Sequence, residues 1–289
     1  MSTQRSPRSS RIIFYVLVGM SLAASASAEG DQRRPVLVEL FTSEGCSSCP
    51  PADVLLQKLV AQQPIAGAEI IAFEEHVDYW NHDGWIDPFS SAEWTQRQQD
   101  YVQWTNGQPY TPELVVDGRG QFNGSDGPKA VSEIDKASRD AKTQITITPA
   151  AAKNSRKIAV SVGAIPEEGN NKDVAEVWLA ITEDGLHSQA DAGENKGRTL
   201  NHVATLRSLR KIGIAKIGTV ETGTVETGTA NPEGSVSFSG SAELKINSHW
   251  APANLRVTVF VQRKKSRAIL GAASAKLAQR EGLSGGSKF

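Results

Sequence analysis

The only thiols in the 289-residue chain are Cys46 and Cys49, separated by Ser47 and Ser48. At that spacing two thiols can close a disulfide, exchange it with other disulfides, or hold a thiophilic metal ion. The thiolate is both the nucleophile and the ligand, so the chemistry depends on what stabilises negative charge there. A helix start does so, because it presents unpaired backbone N–H groups and the positive end of the helix dipole. As a mere staple the pair stabilises little: the chain-entropy expression gives about 2 kcal/mol for so small a loop, against about 5 for a loop of 100 residues. Redox or ligand use therefore outweighs a staple. Two cysteines exclude a disulfide framework and any four-thiolate zinc or iron–sulfur site.

Other candidates cluster downstream. His76, Asp78, His82 and Asp83 crowd one loop, and His76 with Cys46 and Cys49 would suit copper or zinc. The competing reading of His76 is a structural or solvent-facing loop histidine. Both methionines, Met1 and Met20, lie in the first 28 residues, so the chain beyond lacks the thioether ligands of copper carriers. Glu44, beside the motif, should oppose thiolate formation. Seven of the ten Trp and Tyr residues fall between Tyr79 and Tyr110. Trp94, Tyr101 and Trp104 fit one helix face and read as core. Tyr79, Trp80 and Trp85 read equally as core or as a peptide-binding surface. His187, His202 and His249 stand isolated and read as surface or hydrogen-bonded core residues. Arg198, Arg207, Arg210 and Lys211 can form an anion site or a solvated basic face. No Walker loop, dinucleotide fingerprint or hydrolase elbow occurs.

The elements that must position these residues alternate strand and helix in the first half. Val36 to Phe41 reads as a strand, Asp53 to Gln62 as a helix and Glu69 to Phe73 as the next strand. Ser90 and Glu93 make a capping box for a helix through about Trp104. Leu114 to Val116 is a strand, Asp117-Gly118 a hairpin turn with Phe122 on the return, and Pro128 to Lys142 a final helix. Pro50-Pro51 disfavours helical geometry at Cys49, which places the helix start at Pro50. From about residue 145 the pattern is β: Gln144 to Thr148, Lys157 to Val162, Val174 to Thr182, Ser235 to Ser239, Leu255 to Val261 and Ala268 to Ser274. Thr199 to Lys211 fits a helix face or a strand. The doubled Thr-Val-Glu-Thr-Gly of 219–228 reads as an extended hairpin or edge insertion, and the tail from Glu281 as disordered.

A Cys-x-x-Cys pair between a strand and a helix resembles the redox motif of thioredoxin-like proteins. That resemblance implies that Pro112, in Tyr110-Thr111-Pro112 ahead of a strand, is a cis-proline facing the dithiol, with Pro109 the rival further from the strand. Thr111 beside it, and Trp80 and Trp85 of the aromatic cluster, are the candidate substrate contacts. It also implies that Cys46 lies at the exposed end of the motif and attacks, while Cys49 is shielded and resolves. Glu39 lies near the position of a buried acid that assists proton transfer, one residue out of register; its other reading is a surface acid. No tryptophan precedes Cys46, and Ser47-Ser48 replaces Gly-Pro. The block from Val38 to Asp53 more specifically resembles a secreted bacterial thioredoxin-like family catalogued as a domain of unknown function. His76-Val-Asp-Tyr-Trp80, Gly84-Trp85, Val116-Asp-Gly118 and the segment Glu194 to His202 share that likeness.

The amino terminus reads as a secretory leader. Arg5, Arg8 and Arg11 precede an apolar run from Ile12 to Ala24, and Ala26-Ser27-Ala28 gives a cleavage site. Export places the cysteines in an oxidising compartment, periplasmic or secreted. With 31 basic against 32 acidic side chains, nothing marks a nucleic-acid-binding surface. The expectation is thus a leader at 1–28, an α/β thioredoxin-like domain at 29–144, a β-rich, sandwich-like accessory domain at 145–280 and a tail at 281–289. The function expected is thiol–disulfide exchange, with no resident cofactor and no membrane anchor after cleavage. Its partners would be the thiols and disulfides of exported proteins and a redox partner protein. The alternatives are a copper- or zinc-binding module and a thioredoxin-like scaffold with a static disulfide.

Overall fold

The computed structural model describes residues 1, 33–103, 107–149, 156–166, 173–218 and 236–277. The expected leader, Trp104, the doubled pentapeptide and the tail lie outside the described residues.

Strand β1 (Arg34–Thr42) is buried along nearly its whole length, as suits the apolar run of a central strand. Helix α1 (Pro50–Gln62) carries the chain across to β2 (Ala68–His76), which pairs parallel with β1 in the register Val38↔Ala72. Helix α2 (Ala92–Val102) follows, capped by Ser91, whose hydroxyl accepts from Glu93 N. Then β3 (Glu113–Val116) pairs antiparallel with β1 and turns into β4 (Gly120–Asn123). Asp117 (φ 49°) and Gly118 (φ 68°) make that turn. Both central residues are left-handed, the geometry whose twist matches a two-residue hairpin. A Cβ on Gly118 would lie 2.0 Å from Arg267 O, so only glycine fits there. Helix α3 (Gly127–Ala137) closes the first half.

The second half supplies β5 (Ile145–Pro149), β6 (Lys157–Gly163), β7 (Ala175–Glu183), β8 (Leu186–Gln189), β9 (Thr199–His202), β10 (Thr205–Ala215), β11 (Val236–Glu243), β12 (Leu255–Arg263) and β13 (Ile269–Lys276). The ambiguous stretch from Thr199 is therefore strand, because β10 is bonded on both sides, to β7 and to β2. One mixed eight-stranded sheet results, in the order β13-β12-β7-β10-β2-β1-β3-β4, joining strands from either side of residue 144. The link is parallel, at Thr205↔Glu74. The architecture is mixed α/β, with a large mixed sheet and three α-helices among the described residues.

Alternation along the strands sets the cores. Val36, Val38 and Leu40 pack with Ala52, Leu56 and Leu59 of α1 and with Ile134 of α3. Leu37 of β1 lies on the other face, with Phe73, Trp94 of α2 and Phe260. A three-stranded sheet, β11-β6-β5, lays Ile158, Val160 and Val162 against Val177, Leu179 and Ile181 of β7 and Val257, Val259 and Val261 of β12.

Candidate functional site

Where β1 ends, residues 43–49 wind into the start of α1. Cys46 N donates to Ser43 O (3.1 Å) and Cys49 N to Cys46 O (3.2 Å). The two sulfurs form a disulfide, S–S 2.13 Å with Cα atoms 5.4 Å apart. Cys49 is the residue ahead of α1, which begins at Pro50 as expected. It nevertheless has helical dihedrals (φ −79°, ψ −38°) despite the proline that follows. Its carbonyl accepts from both Ala52 N and Asp53 N, which offsets the steric preference. Ser48 Oγ lies 3.3 Å from Cys46 Sγ.

The expectation of an exposed Cys46 is not met, for both cysteines are fully buried. The connection between β8 and β9, over 140 residues further along the chain, is hydrogen-bonded to the cysteine loop. Asn195 Nδ2 donates to Glu44 O (2.8 Å) and to Cys46 O (3.0 Å), and Asn195 is itself buried. Ser47 N donates to the Glu194 carboxylate at 2.9 Å. Arg198 steadies Asn195 by donating to its Oδ1 (3.1 Å). Gly193 (φ 70°) lies against Trp85, and its N–H donates to Asp83 O at 3.1 Å.

Pro112 is buried at the start of β3, and the Thr111–Pro112 peptide is cis. Its ring lies beside the first turn of α1: a Cβ on Gly124 would meet Ala52 Cβ and Pro112 Cβ, each at 3.2 Å. Trp80 Nε1 donates to Thr111 Oγ1 (2.7 Å), and a Cβ on Gly45 would lie 2.6 Å from Trp80 O. Trp80, Thr111 and Pro112 thus flank the cysteine loop together. Trp85 is half-buried and donates Nε1–H to Glu44 Oε2 (3.1 Å). Trp94 and Tyr101 are buried in the core; Tyr79 and Tyr110 stay exposed. Beside Pro112, Glu113 is buried, which pushes its carboxyl up to about 7 against the opposing hydrogen bond from Gln98.

Beneath the disulfide loop lies a buried polar cluster that sequence reading did not assemble. The Glu44 carboxylate accepts from Ser188 Oγ, Trp85 Nε1 and His202 Nε2, the last at 2.9 Å. His202 Nδ1 faces Glu74 Oε1 at 3.1 Å. Burial alone would lower the His202 pKa, but Glu74 and Glu44 together push it up to about 11. Glu44, expected to oppose a thiolate, is thus held in hydrogen bonds by Ser188, Trp85 and His202. Glu74 also accepts from Val203 N (2.9 Å). His76 Nδ1 donates to Asp87 Oδ2 (2.7 Å), and Asp87 accepts Glu44 N at 2.8 Å. Although burial works the other way, His76 holds the Asp87 carboxyl below the usual range. On α1, Asp53 accepts from Thr42 Oγ1 (2.7 Å), and burial and the Glu74 charge raise its carboxyl to about 7.

His76, expected as a partner of the cysteines in a metal site, gathers with other donors. Among the described residues, the group of three whose ligand atoms come within 4.8 Å of one another is Glu74, His76 and His202. His82 and Asp83 pair at the surface (3.0 Å).

Glu39 is buried, so its reading as a surface acid fails. By strand alternation it faces away from α1. It accepts from Arg97 Nε (2.6 Å) and Tyr101 Oη (2.6 Å), and Arg97 reaches Gln262 Oε1 (3.3 Å) and Glu75 Oε1 (3.4 Å). Burial and the Glu39 charge raise the Glu75 carboxyl well above its usual range. The acid carried on the helix of Cys49 is Asp53, one turn beyond it. The basic set resolves into separate contacts: Arg207 faces Glu183 (3.4 Å), Arg210 donates to Glu243 O, and Lys211 pairs with Glu176 (3.1 Å).

The family described as "Protein of unknown function (DUF1223)" matches residues 37–262. The chain belongs to this family. The fold is similar to that of a crystallised protein from Agrobacterium tumefaciens, at 21% identity and TM-score 0.62, covering 86% of this chain and 96% of that one. It is also similar to HBP35 of Porphyromonas gingivalis, at 13% identity and TM-score 0.56, covering 89% and 79%. No curated protein matches the chain. No helix among the described residues is long and apolar enough to cross a membrane.

Proposed function

We propose that the protein is an exported thiol–disulfide exchange protein, thioredoxin-like in its first half, acting through Cys46 and Cys49. The observation that carries this is the Cys46–Cys49 disulfide at the start of α1 with cis-Pro112 beside the same turn. The order β2-β1-β3-β4, with helices after β1 and β4, supports the thioredoxin-like reading. The basic, apolar and small-residue pattern of residues 1–28 in the sequence is the ground for export.

In the reducing direction, the Cys46 thiolate attacks a sulfur of a partner disulfide, forms a mixed disulfide and expels the other partner sulfur as thiolate. Cys49, losing its proton to Asp53, attacks Cys46 Sγ, closes the internal disulfide and releases the second partner thiolate. A redox partner protein then reduces the pair again; reversal oxidises partner thiols. Because both cysteines are buried, the loop bearing Glu194 and Asn195 must lift before a partner can approach. Thr111, Trp80 and Trp85 would then border the exposed sulfur.

Cys46→Ser is expected to abolish exchange, while Cys49→Ser attacks but cannot resolve and so traps partners as mixed disulfides. Trapping by Cys46→Ser alone would reverse the roles. The burial of the pair favours a second reading, a scaffold with a static disulfide. Absence of exchange by the wild-type protein and of trapping by either variant would establish that reading instead.

A further inference from the structure

We propose that Glu74, His76 and His202 form a binding site for a first-row divalent cation of the zinc type, held by one carboxylate and two imidazoles. The site uses neither cysteine and stands whether or not the thiols exchange.

The first support is the way each imidazole is held. A metal-binding histidine characteristically donates its second ring N–H to a carboxylate, which fixes the ring and makes the free nitrogen more basic. Both histidines have such a carboxylate: Asp87 at His76 Nδ1 (2.7 Å) and Glu44 at His202 Nε2 (2.9 Å). The nitrogens left are His76 Nε2 and His202 Nδ1. Second, His76 Nε2 is buried and has no hydrogen-bond partner, although the side chain is wholly shielded from solvent. An unsatisfied polar atom in such a place costs free energy, about 1–3 kcal/mol, that a ligand would recover. Third, the spacing fits. Zinc binds nitrogen and oxygen at about 2.0–2.2 Å, which sets neighbouring tetrahedral ligands about 3.3 Å apart. His202 Nδ1 and Glu74 Oε1 are 3.1 Å apart, so a cation replaces the proton between them with little movement. The two rings meet edge to face with centroids 4.6 Å apart, and ligand atoms of all three residues lie within 4.8 Å of one another.

Glu74 is held in turn by Val203 N (2.9 Å) and Thr205 Oγ1 (3.4 Å), so the carboxylate is oriented before any ion arrives. Two imidazoles and one carboxylate suit zinc and its neighbours better than magnesium or calcium, which prefer oxygen. The fourth tetrahedral position is left to solvent or an added donor.

The test uses the full mature chain, cleared of metal by a chelator and then titrated with zinc or cobalt(II). One ion per chain is expected both in the wild type and in the Cys46→Ser/Cys49→Ser double variant. The cobalt spectrum should lack a sulfur-to-metal charge-transfer band. His76→Gln, shown to be folded by circular dichroism, should lose the ion, and Asp87→Asn should weaken binding about 10–100-fold. If His76→Gln does not fold, paramagnetically shifted imidazole N–H signals in the cobalt-loaded double variant decide the matter. Signals from two rings support the site, and their absence overturns it. No ion bound by the wild type would also overturn it. So would binding confined to reduced wild type with a sulfur charge-transfer band, which would assign the ion to the thiolates.

Discussion

Glu39 and Glu44 lie close in sequence and are both buried, yet they are held in different ways. Glu39 meets the guanidinium of Arg97 and the hydroxyl of Tyr101 on the face of β1 away from α1. Glu44 meets an imidazole, an indole N–H and a serine hydroxyl beside the disulfide. A guanidinium keeps its proton at all accessible pH, so the Arg97 cluster is a fixed ion pair. Imidazoles exchange protons and bind metals, so the His202 cluster is the chemically adaptable one. The protein places the fixed arrangement within its core and the adaptable one against its only cysteines.

The largest effect should come from breaking the fixed cluster. Arg97→Leu leaves the Glu39 carboxylate buried without its cation, and such a loss costs about 3–5 kcal/mol. Urea unfolding should show this loss, with partial recovery in Arg97→Leu/Glu39→Gln. A single variant as stable as wild type would mean that Glu39 is not ionised there.

Asn195→Ala tests the cover on the adaptable side. It removes one amide that donates to two carbonyls, Glu44 O and Cys46 O. Stability should fall by about 1–3 kcal/mol. The Cys46–Cys49 disulfide should also be reduced faster by a small dithiol. Loss of stability at an unchanged reduction rate would show that the loop does not limit access.

A third effect is one of pH. The folded-state pKa of Glu113 is about 7, against a usual 4.5. Between those values the folded protein holds more protons than the unfolded chain, so this residue lowers stability as pH rises from about 4.5 to 7. Glu113→Gln should remove that part of the slope in urea midpoints measured across the range. An unchanged slope would assign the dependence to other groups.

Much of the disulfide region was legible because it is local. The spacing of Cys46 and Cys49, the helix start at Pro50 and the turn at Asp117-Gly118 each depend on a few neighbouring residues, whereas the cis bond before Pro112 was implied by the resemblance to thioredoxin-like proteins. The cover and the polar cluster were not. Asn195 reaches Cys46 across 149 residues and His202 reaches Glu44 across 158, and no period in the sequence reports such pairings. His202 read as isolated because its partners lie on β2 and in the cysteine loop. Glu74 and Glu75, near the end of a buried strand, conflict with the apolar pattern of such strands; that conflict was the available signal. Thr199 to Lys211 stayed ambiguous because its apolar spacing fits a helix, whereas bonding to β7 and β2 makes it strand.

The central claim is that the covered disulfide is nevertheless exchange-active, and its reduction potential tests this most directly. The sulfurs lie at the start of α1, where the positive end of the helix dipole favours thiolate and hence the reduced form, although Pro50 and Pro51 bring no N–H and Ala52 N and Asp53 N are taken by Cys49 O. Equilibration of the protein in thiol buffers of graded potential, followed by alkylation of free Cys46 and Cys49, gives the midpoint. A value above about −300 mV, within reach of cellular thiol systems, is expected. A value below about −300 mV would make the pair a static structural disulfide and contradict the account.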